Sequence, residues 1–226
     1  MIHLYNDGDS WFIEVDGEVV WEGGTVMCGR FNMISEDDVE EMRRIVAEID
    51  RRYQDTPERA QMRSGEIFPT NVVPALAHGR SGNTGAFLMK WGFKSFKGSS
   101  VIINARSETA QEKPMFAQAM RERRCVIPAQ NYYEWEGHKL GKPKYAIRAA
   151  GGSLCYMAGI YRYEEDARLP VFVILTRPAS PEVRFIHDRM PVLVSEPQVG
   201  EWLNAIDGNA WLSHNALTHM QYEKVQ

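Results

Sequence analysis

Cys28 is the residue of this sequence best suited to covalent chemistry, because it directly follows a methionine in Met27-Cys28-Gly29-Arg30. Initiation at Met27 and removal of that methionine would leave Cys28 with a free α-amine beside its thiol. An α-amine has a pKa of about 8, so roughly a tenth of it is neutral at pH 7 and able to attack an aldehyde. The thiol can then add to the resulting imine and close a five-membered thiazolidine ring. A small buried cysteine is the alternative interpretation.

The segment 104–108, with sequence NARSE, follows an apolar run at 101–103 and therefore lies at the end of a predicted strand. Functional side chains are often found at such positions, so Asn104 and Arg106 are candidate site residues. An asparagine before Ser-Glu is equally compatible with a turn or a helix cap.

Glu134 lies in the segment 132–135, with sequence YYEW, which is typical of a β-strand. On a strand Glu134 shares a face with Tyr132, while Tyr133 and Trp135 point to the other face. A carboxyl among aromatic rings is partly desolvated, which raises its pKa toward the range useful for general acid–base catalysis. A solvent-facing strand glutamate is the alternative.

The segment 187–191, with sequence HDRMP, brings an imidazole, a carboxylate and a guanidinium together before a strand. His187 can transfer protons near neutral pH, and Arg189 can hold a phosphate. A structural hydrogen bond between His187 and Asp188 explains the same pair. The other histidines show no spacing around His187 that is typical of a metal site.

Trp91, within the segment 90–93 with sequence KWGF, is a candidate aromatic surface for an unpaired nucleic-acid base. A tryptophan in the core is the alternative interpretation.

The elements that must position these residues can be predicted from hydrophobic periodicity. Ser35 is a good helix N-cap with Asp38 near the third helical position, and Val39, Met42 and Val46 begin an amphipathic helix that ends near residues 55–57. Short helices are expected near 114–122 and 198–205. Strands are expected at 72–77, 86–91, 100–103, 124–127, 131–135, 144–149, 155–162, 170–176 and 191–195. These strands are too crowded for helical crossovers, so we expect an α+β fold with a mostly antiparallel, barrel-like β core and flanking helices.

Charge is unevenly distributed along the 226 residues, whose formal net charge is −4. Residues 1–26 contain six acidic residues and neither Lys nor Arg, so subtracting their −6 leaves +2 for residues 27–226. The basic residues are mostly arginine, 18 against 8 lysines, and arginine suits bidentate phosphate contact. The sequence thus permits nucleic-acid binding without requiring it.

The compositional data favour a cytoplasmic protein. No apolar run reaches the roughly twenty residues needed to cross a bilayer, and the acidic start lacks the features of a signal peptide. The three cysteines, Cys28, Cys125 and Cys155, are widely spaced without a CxxC pair. Neither a disulfide framework nor a zinc site is therefore indicated.

The first 26 residues form an acidic leader that is separate from the remaining single domain, 27–226. Residues 11–21 are expected to form a β-hairpin around Asp16-Gly17, a favoured two-residue turn. The codons for residues 22–24, Glu-Gly-Gly, are necessarily purine-rich and lie where a bacterial ribosome-binding site for Met27 would be. We therefore hypothesise that the leader reflects a mis-annotated start or is removed.

Six short segments occur in a specific order along the chain: MCGRF at 27–31, KWG at 90–92, NARSET at 104–109, RCVIPA at 124–129, YEW at 133–135 and IHDRMP at 186–191. Together they resemble the SRAP family, the SOS response-associated peptidases, which are understood as abasic-site processing proteins. The resemblance spans about residues 27–205 and implies an SRAP-like fold.

The resemblance also implies roles for individual residues. Cys28 resembles the family nucleophile, and Asn104 the residue that holds the N-terminal residue in place. Glu134 resembles the general acid–base that assists sugar opening and imine formation, and His187 the histidine that protonates the sugar oxygen and helps to close or reverse the crosslink. The implied phosphate ligands are Arg30, Arg106 and Arg189, and the implied stacking residue is Trp91.

The resemblance implies an abasic-site sensor that binds single-stranded DNA and crosslinks to it covalently, with no metal or organic cofactor and no membrane. We expect a monomer, bacterial or phage-encoded, that acts at the nucleoid during the DNA damage (SOS) response. A self-processing peptidase that cleaves before Cys28 is one alternative. A non-covalent single-strand DNA-binding module, for which Cys28 is dispensable, is another.

Overall fold

The computed structural model describes residues 2–6, 11–15, 18–23, 29–33, 40–79, 81–95, 100–138, 142–151 and 154–225. Its strands are β1 (Ile2–Asn6), β2 (Trp11–Val15), β3 (Glu18–Gly23), β4 (Arg30–Met33), β5 (Gly65–Ile67), β6 (Val72–His78), β7 (Thr84–Trp91), β8 (Phe93–Lys94), β9 (Val101–Ile102), β10 (Asn104–Arg106), β11 (Arg124–Ala129), β12 (Asn131–Trp135), β13 (Lys144–Ala149), β14 (Cys155–Arg162), β15 (Val171–Pro178), β16 (Arg189–Pro191), β17 (Leu193–Val194) and β18 (Met220–Lys224). Its α-helices are α1 (Glu40–Tyr53), α2 (Pro57–Ala60), α3 (Ser107–Ala110), α4 (Pro114–Glu122), α5 (Val199–Asn204) and α6 (Gly208–Asn215).

The largest sheet forms the core of the molecule. Its strands run in the order β10-β15-β7-β6-β11-β14-β17, with β16 also paired to β15. A further pairing between β14 and β15 makes the sheet curl round on itself. Two pairings, β10 with β15 and β7 with β15, are parallel, and the others are antiparallel. The predicted α+β fold with a mostly antiparallel, barrel-like core is confirmed.

A second sheet positions the candidate residues of the central motif. It has the order β18-β13-β12-β4-β5, and all its pairings are antiparallel. The chain passes from β11 of the first sheet into β12 of the second through Gln130, whose N–H donates to Asn32 O at 2.8 Å. This short connection fixes β12 directly beside the buried core.

The predicted N-terminal hairpin is present as the antiparallel pair β2 and β3, with Val15 opposite Glu18. Its turn residues, Asp16 and Gly17, lie outside the described residues. The strand β1 adds to β2 and completes a three-stranded sheet. The described residues of the leader therefore all belong to β-strands.

The predicted amphipathic helix is confirmed as α1. Met42, Ile45, Val46 and Ile49 are its buried residues, which matches one face of an α-helix. Acidic residues lie in its first turn and basic residues in its last turn, as the helix dipole favours. Ser35, Asp38 and Val39 lie outside the described residues, so the predicted cap stays a prediction.

Arg124 joins two helix ends inside the core. Its side chain is buried, and its Nε donates to Trp202 O at 2.9 Å, its Nη2 to Leu203 O at 3.2 Å and its Nη1 to Met120 O at 2.8 Å. These carbonyls belong to the last turns of α4 and α5, where most carbonyls have no N–H partner within the helix; Trp202 O also accepts from the N–H of Ala205 at 3.3 Å. Burial lowers the pKa of Arg124 from its ordinary value. The guanidinium therefore acts as a shared C-terminal cap.

We expect Arg124→Met to lower the free energy of unfolding by about 3 kcal/mol or more, because buried carbonyls would lose their donors. Urea unfolding monitored by circular dichroism measures this change at constant denaturant slope. The matched control is Arg121→Met on the exposed surface of α4, which should cost less than about 1 kcal/mol. Equal stabilities of the two variants would contradict the capping role.

No helix in the described part of the chain is long and apolar enough to cross a membrane.

Candidate functional site

Asn104 and Arg106 lie on β10, at the edge of the large sheet. The strand runs parallel to β15, with Asn104 opposite Ile174 and Arg106 opposite Thr176. The Asn104 side-chain oxygen is buried, whereas Arg106 is exposed. Since Asn104 belongs to a strand, the turn or cap interpretation is wrong. Asn104 and Arg106 are two residues apart on this strand, so both side chains project from the same face of the sheet edge.

Arg189 extends from β16 across β15 and holds Glu108. Its Nη2 donates to Thr176 O at 2.8 Å and to Glu108 Oε2 at 2.9 Å, and its Nη1 donates to the other Glu108 oxygen. Partial burial raises the pKa of Glu108, but the hydrogen bonds from Arg189 and the backbone outweigh it, so the pKa lies below its ordinary value. A phosphate that approaches Arg189 would have to compete with this bidentate ion pair.

His187 lies in the segment that precedes β16 and is only 2% exposed. Its Nδ1 accepts a hydrogen bond from the backbone N–H of Arg189 at 2.9 Å. This bond assigns the proton of the neutral ring to Nε2. Asp188 Oδ1 lies 3.0 Å from the same Nδ1, where it can pair with the ring when both nitrogens are protonated. This arrangement is compatible with proton transfer by His187 and equally with a structural pairing of His187 and Asp188.

Glu134 lies in the middle of the second sheet and is 4% exposed, so the solvent-facing interpretation is wrong. Burial alternates along β12 as predicted: Tyr132 and Glu134 are buried, and Tyr133 is half-buried on the other face. Tyr145 on β13 lies directly opposite Glu134. Burial, followed by its hydrogen bond to Glu136, raises the pKa of Tyr145, so its phenol stays protonated at neutral pH.

The loop that follows Glu134 contacts the segment that leads into His187. The N–H of Gly137 donates to Ile186 O at 3.1 Å, and Gly137 adopts a φ of 63°, in the left-handed region that favours glycine. Glu134 is three residues before this bond and His187 is one residue after it. The segments that carry the two candidate acid–base residues are therefore joined by one backbone hydrogen bond.

Arg30 lies on the opposite face of the second sheet from the buried carboxyl of β12. It is paired with Tyr133 in the strand register, and its guanidinium lies 3.2 Å from Glu66 Oε1. The guanidinium also lies 4.7 Å from the ring centre of Phe68 and 5.0 Å from that of Trp135. The structure thus separates Arg30 from the Glu134 face.

Trp91 is completely buried, which corrects the prediction that it forms a stacking surface. Its Nε1 donates to Ile103 O at 3.0 Å, its ring lies parallel to that of Phe172 at 6.2 Å, and Phe31 packs against it at 5.1 Å. A ring enclosed by other rings offers no face to a base. Trp91 instead supports the residue directly before Asn104.

The two described cysteines are unsuited to nucleophilic chemistry. Burial raises the pKa of Cys125 far above its ordinary value and raises that of Cys155 to about 11. The thiolate is the reactive form of cysteine, so neither contributes a nucleophile at neutral pH. Cys28 lies outside the described residues. The buried Gly29 follows it and leads into β4.

Among the described residues there is no group of three or more His, Cys, Asp or Glu side chains that could hold a metal ion.

Three residues of this region were not predicted. Thr176 is buried and accepts a hydrogen bond from Arg189. Tyr145 lies opposite Glu134. Lys144 Nζ lies 2.8 Å from Glu66 Oε1 and 4.0 Å from the ring centre of Tyr133. Each depends on strand register. Only Tyr145, an aromatic residue in an alternating strand, carried a local signal.

Comparisons with known proteins give a consistent result. A family model described as SOS response associated peptidase (SRAP) matches residues 27–226. The chain is 32% identical over 189 residues to the abasic site processing protein YoqW of Bacillus subtilis (strain 168), covering 79% of this chain and 80% of that protein. It is 33% identical over 189 residues to the abasic site processing protein YobE of the same organism, covering 79% and 82%. A crystal structure of a protein from Bordetella bronchiseptica has the same fold, with a TM-score of 0.65 and 19% identity over 88% of this chain and 100% of that chain.

Proposed function

The chain belongs to the SOS response associated peptidase family, and from this membership we propose that it processes abasic sites in single-stranded DNA by crosslinking to them through Cys28. The observation that supports this most directly is the buried Glu134 carboxyl, because the loop that follows Glu134 is hydrogen-bonded to Ile186, the residue before His187. The register of β4 with β12 ends with Tyr133 opposite Arg30, one residue before Glu134, and the buried Gly29 precedes Arg30.

The proposed reaction needs only the two nucleophiles of an N-terminal cysteine. The ring-opened abasic sugar presents an aldehyde at C1′, and the α-amine of Cys28 attacks it and expels water to give an imine. The thiol then forms an S–C1′ bond while its proton passes to nitrogen, which closes the thiazolidine. The product has the mass of protein plus DNA less one water. Capture by sulfur removes the imine before it can promote β-elimination of the strand.

Glu134 and His187 would supply the proton transfers. Glu134 is proposed to take the sugar hydroxyl proton during ring opening and to return a proton as water leaves the imine precursor. His187 is suited to donate from Nε2 to the sugar oxygen, because Nδ1 is already an acceptor. Asn104, whose side-chain oxygen is buried, is proposed to hold the N-terminal amine in place.

The arginines would hold the DNA backbone. Arg106 is exposed beside Asn104 and is the most accessible of the proposed phosphate ligands. Arg189 can join it only by exchanging Glu108 for a phosphate. Arg30 would bind a phosphate on the other face of the second sheet, where Glu66 competes for it.

Intact-mass spectrometry under denaturing conditions tests this function. The 226-residue chain and the chain that begins at Cys28 are each incubated with a single-stranded oligonucleotide that contains one abasic site. The chain that begins at Cys28 should gain the oligonucleotide mass less one water, because its amine is free. An oligonucleotide with a tetrahydrofuran spacer, which has no aldehyde, is the matched control and should give no adduct.

The other outcomes separate the alternatives. If the 226-residue chain loses residues 1–27 on incubation without DNA, self-processing supplies the amine. Cleavage of unrelated peptides would then identify a peptidase that acts on other proteins. If the chain that begins at Cys28 binds DNA only reversibly and loses it at high salt, it is a non-covalent binding module. That result would overturn the proposal.

A further inference from the structure

An exposed group of aromatic side chains lies beside the candidate site. Phe185 is 50% exposed and Tyr222 is 48% exposed, and their ring centres are 5.2 Å apart with the planes at 69°. Both rings contact the nearly buried Tyr145, at 5.7 Å and 5.9 Å, in edge-to-face geometry. Large aromatic surface that remains in water is a feature of interaction sites. We name Phe185 and Tyr222, with Tyr145 behind them, the aromatic corner.

The aromatic corner adjoins both candidate acid–base residues. Tyr145 is the direct cross-strand neighbour of Glu134, and directly opposite residues project from the same face of a sheet. Tyr222 lies on the adjoining edge strand β18, opposite Ile147 on that same face. Phe185 comes from a different part of the chain, two residues before His187. Two independent segments thus bring exposed rings to the rim of one site.

Cationic groups accompany these rings. Lys224 is exposed and lies opposite Tyr145 on the same sheet face, and the exposed Arg184 is next to Phe185 in the chain. Of the nearby acidic groups, Glu136 accepts from the Tyr145 hydroxyl at 3.0 Å, and Glu182 lies 3.3 Å from His219. Rings with flanking cations are the combination that single-stranded nucleic acids require, because bases stack on rings while cations hold phosphates.

We propose that the aromatic corner binds one unpaired base of the strand, in the nucleotide next to the abasic site. This inference rests on the proposed function, since it names the part of the same ligand that lies outside the reaction centre. The angle between the rings limits the corner to one base, which would stack on one ring and meet the edge of the other. Stacking of this kind accepts all four bases, so the corner would position the lesion without selecting sequence.

The test compares DNA affinity of the chain beginning at Cys28 with that of its Phe185→Ala/Tyr222→Ala variant. We expect dissociation constants about tenfold weaker for an oligonucleotide with normal bases around a tetrahydrofuran spacer. The two proteins should have the same dissociation constant for an oligonucleotide in which the neighbouring nucleotides are also spacers. Tyr163→Ala removes an exposed ring after β14 on the large sheet, and should bind as the wild type does. Phe185→Tyr/Tyr222→Phe keeps both rings and should retain affinity.

Three results would overturn the aromatic corner. An unchanged dissociation constant on the base-containing oligonucleotide would show that the rings do not contact DNA. An equal loss of affinity for both oligonucleotides would show that the rings support the fold or contact the DNA backbone instead of a base. Loss of affinity in the ring-retaining variant would lead to the same conclusion. The proposed function fails separately, through absence of the covalent adduct in the wild type, while a base-dependent loss in the alanine variant would still support the corner.

Discussion

Cys28→Ala, in the chain that begins at this residue, should abolish the denaturant-stable adduct with abasic DNA. The variant keeps a free α-amine and can still form an imine, but it has no thiol to close the ring. An imine that no thiol captures exposes the sugar to β-elimination. The variant should therefore cleave the DNA strand to a greater extent than the wild type does. Denaturing gel electrophoresis resolves the adduct and the cleaved strand in one measurement, and borohydride should trap the imine of the variant.

Cys155→Ala is the matched control for this experiment. Cys155 is buried, and its pKa of about 11 keeps its thiol protonated at neutral pH, so the adduct should form at the wild-type level. A full yield of stable adduct from Cys28→Ala without reductant would contradict the thiazolidine. Loss of the adduct in both cysteine variants would indicate damage to the fold instead of removal of a nucleophile.

Much of this fold follows from hydrophobic pattern, because its central strands are buried on both faces or alternate strictly. The strand β12 and the helix α4 have the bounds predicted for them. The edge strand β18 was not predicted, since four of its five residues are exposed and nothing in its sequence alternates. The helix α6 was also missed, although Asp207 accepts from Ala210 N at its start and is a recognisable N-cap.

The candidate site was less predictable because it depends on register between distant strands. The alternation in β12 correctly placed the Glu134 side chain on the face of Tyr132. It could not show that Arg30 projects from the other face, since that depends on the pairing of β4 with β12. Glu108 and Arg189 are 81 residues apart in sequence, so their ion pair left no local pattern. A tryptophan beside a glycine does not show whether its ring is buried or exposed, and the Trp91 ring lies in the core.

Glu134→Gln should slow crosslink formation by about 10²–10⁴-fold, the usual contribution of a positioned general acid–base. The amide has nearly the shape of the carboxyl, so the packing of the buried side chain is preserved while its capacity to exchange protons is lost. Under the proposed mechanism, both ring opening of the sugar and dehydration to the imine need a proton transfer that Glu134 supplies. DNA affinity should change little, because the phosphate and base contacts are proposed for other residues.

Single-turnover kinetics with saturating protein measure this effect, with thermal unfolding as the check on folding. The matched control is Glu136→Gln, which changes a nearby carboxyl bonded to the Tyr145 hydroxyl and should crosslink at close to the wild-type rate. The pH–rate profile of the wild type should contain an ionisation that is missing from Glu134→Gln, which a merely structural residue would not produce. A wild-type rate in Glu134→Gln, or an equal fall in affinity and rate, would remove Glu134 from the reaction and leave the proton transfers to His187 and solvent.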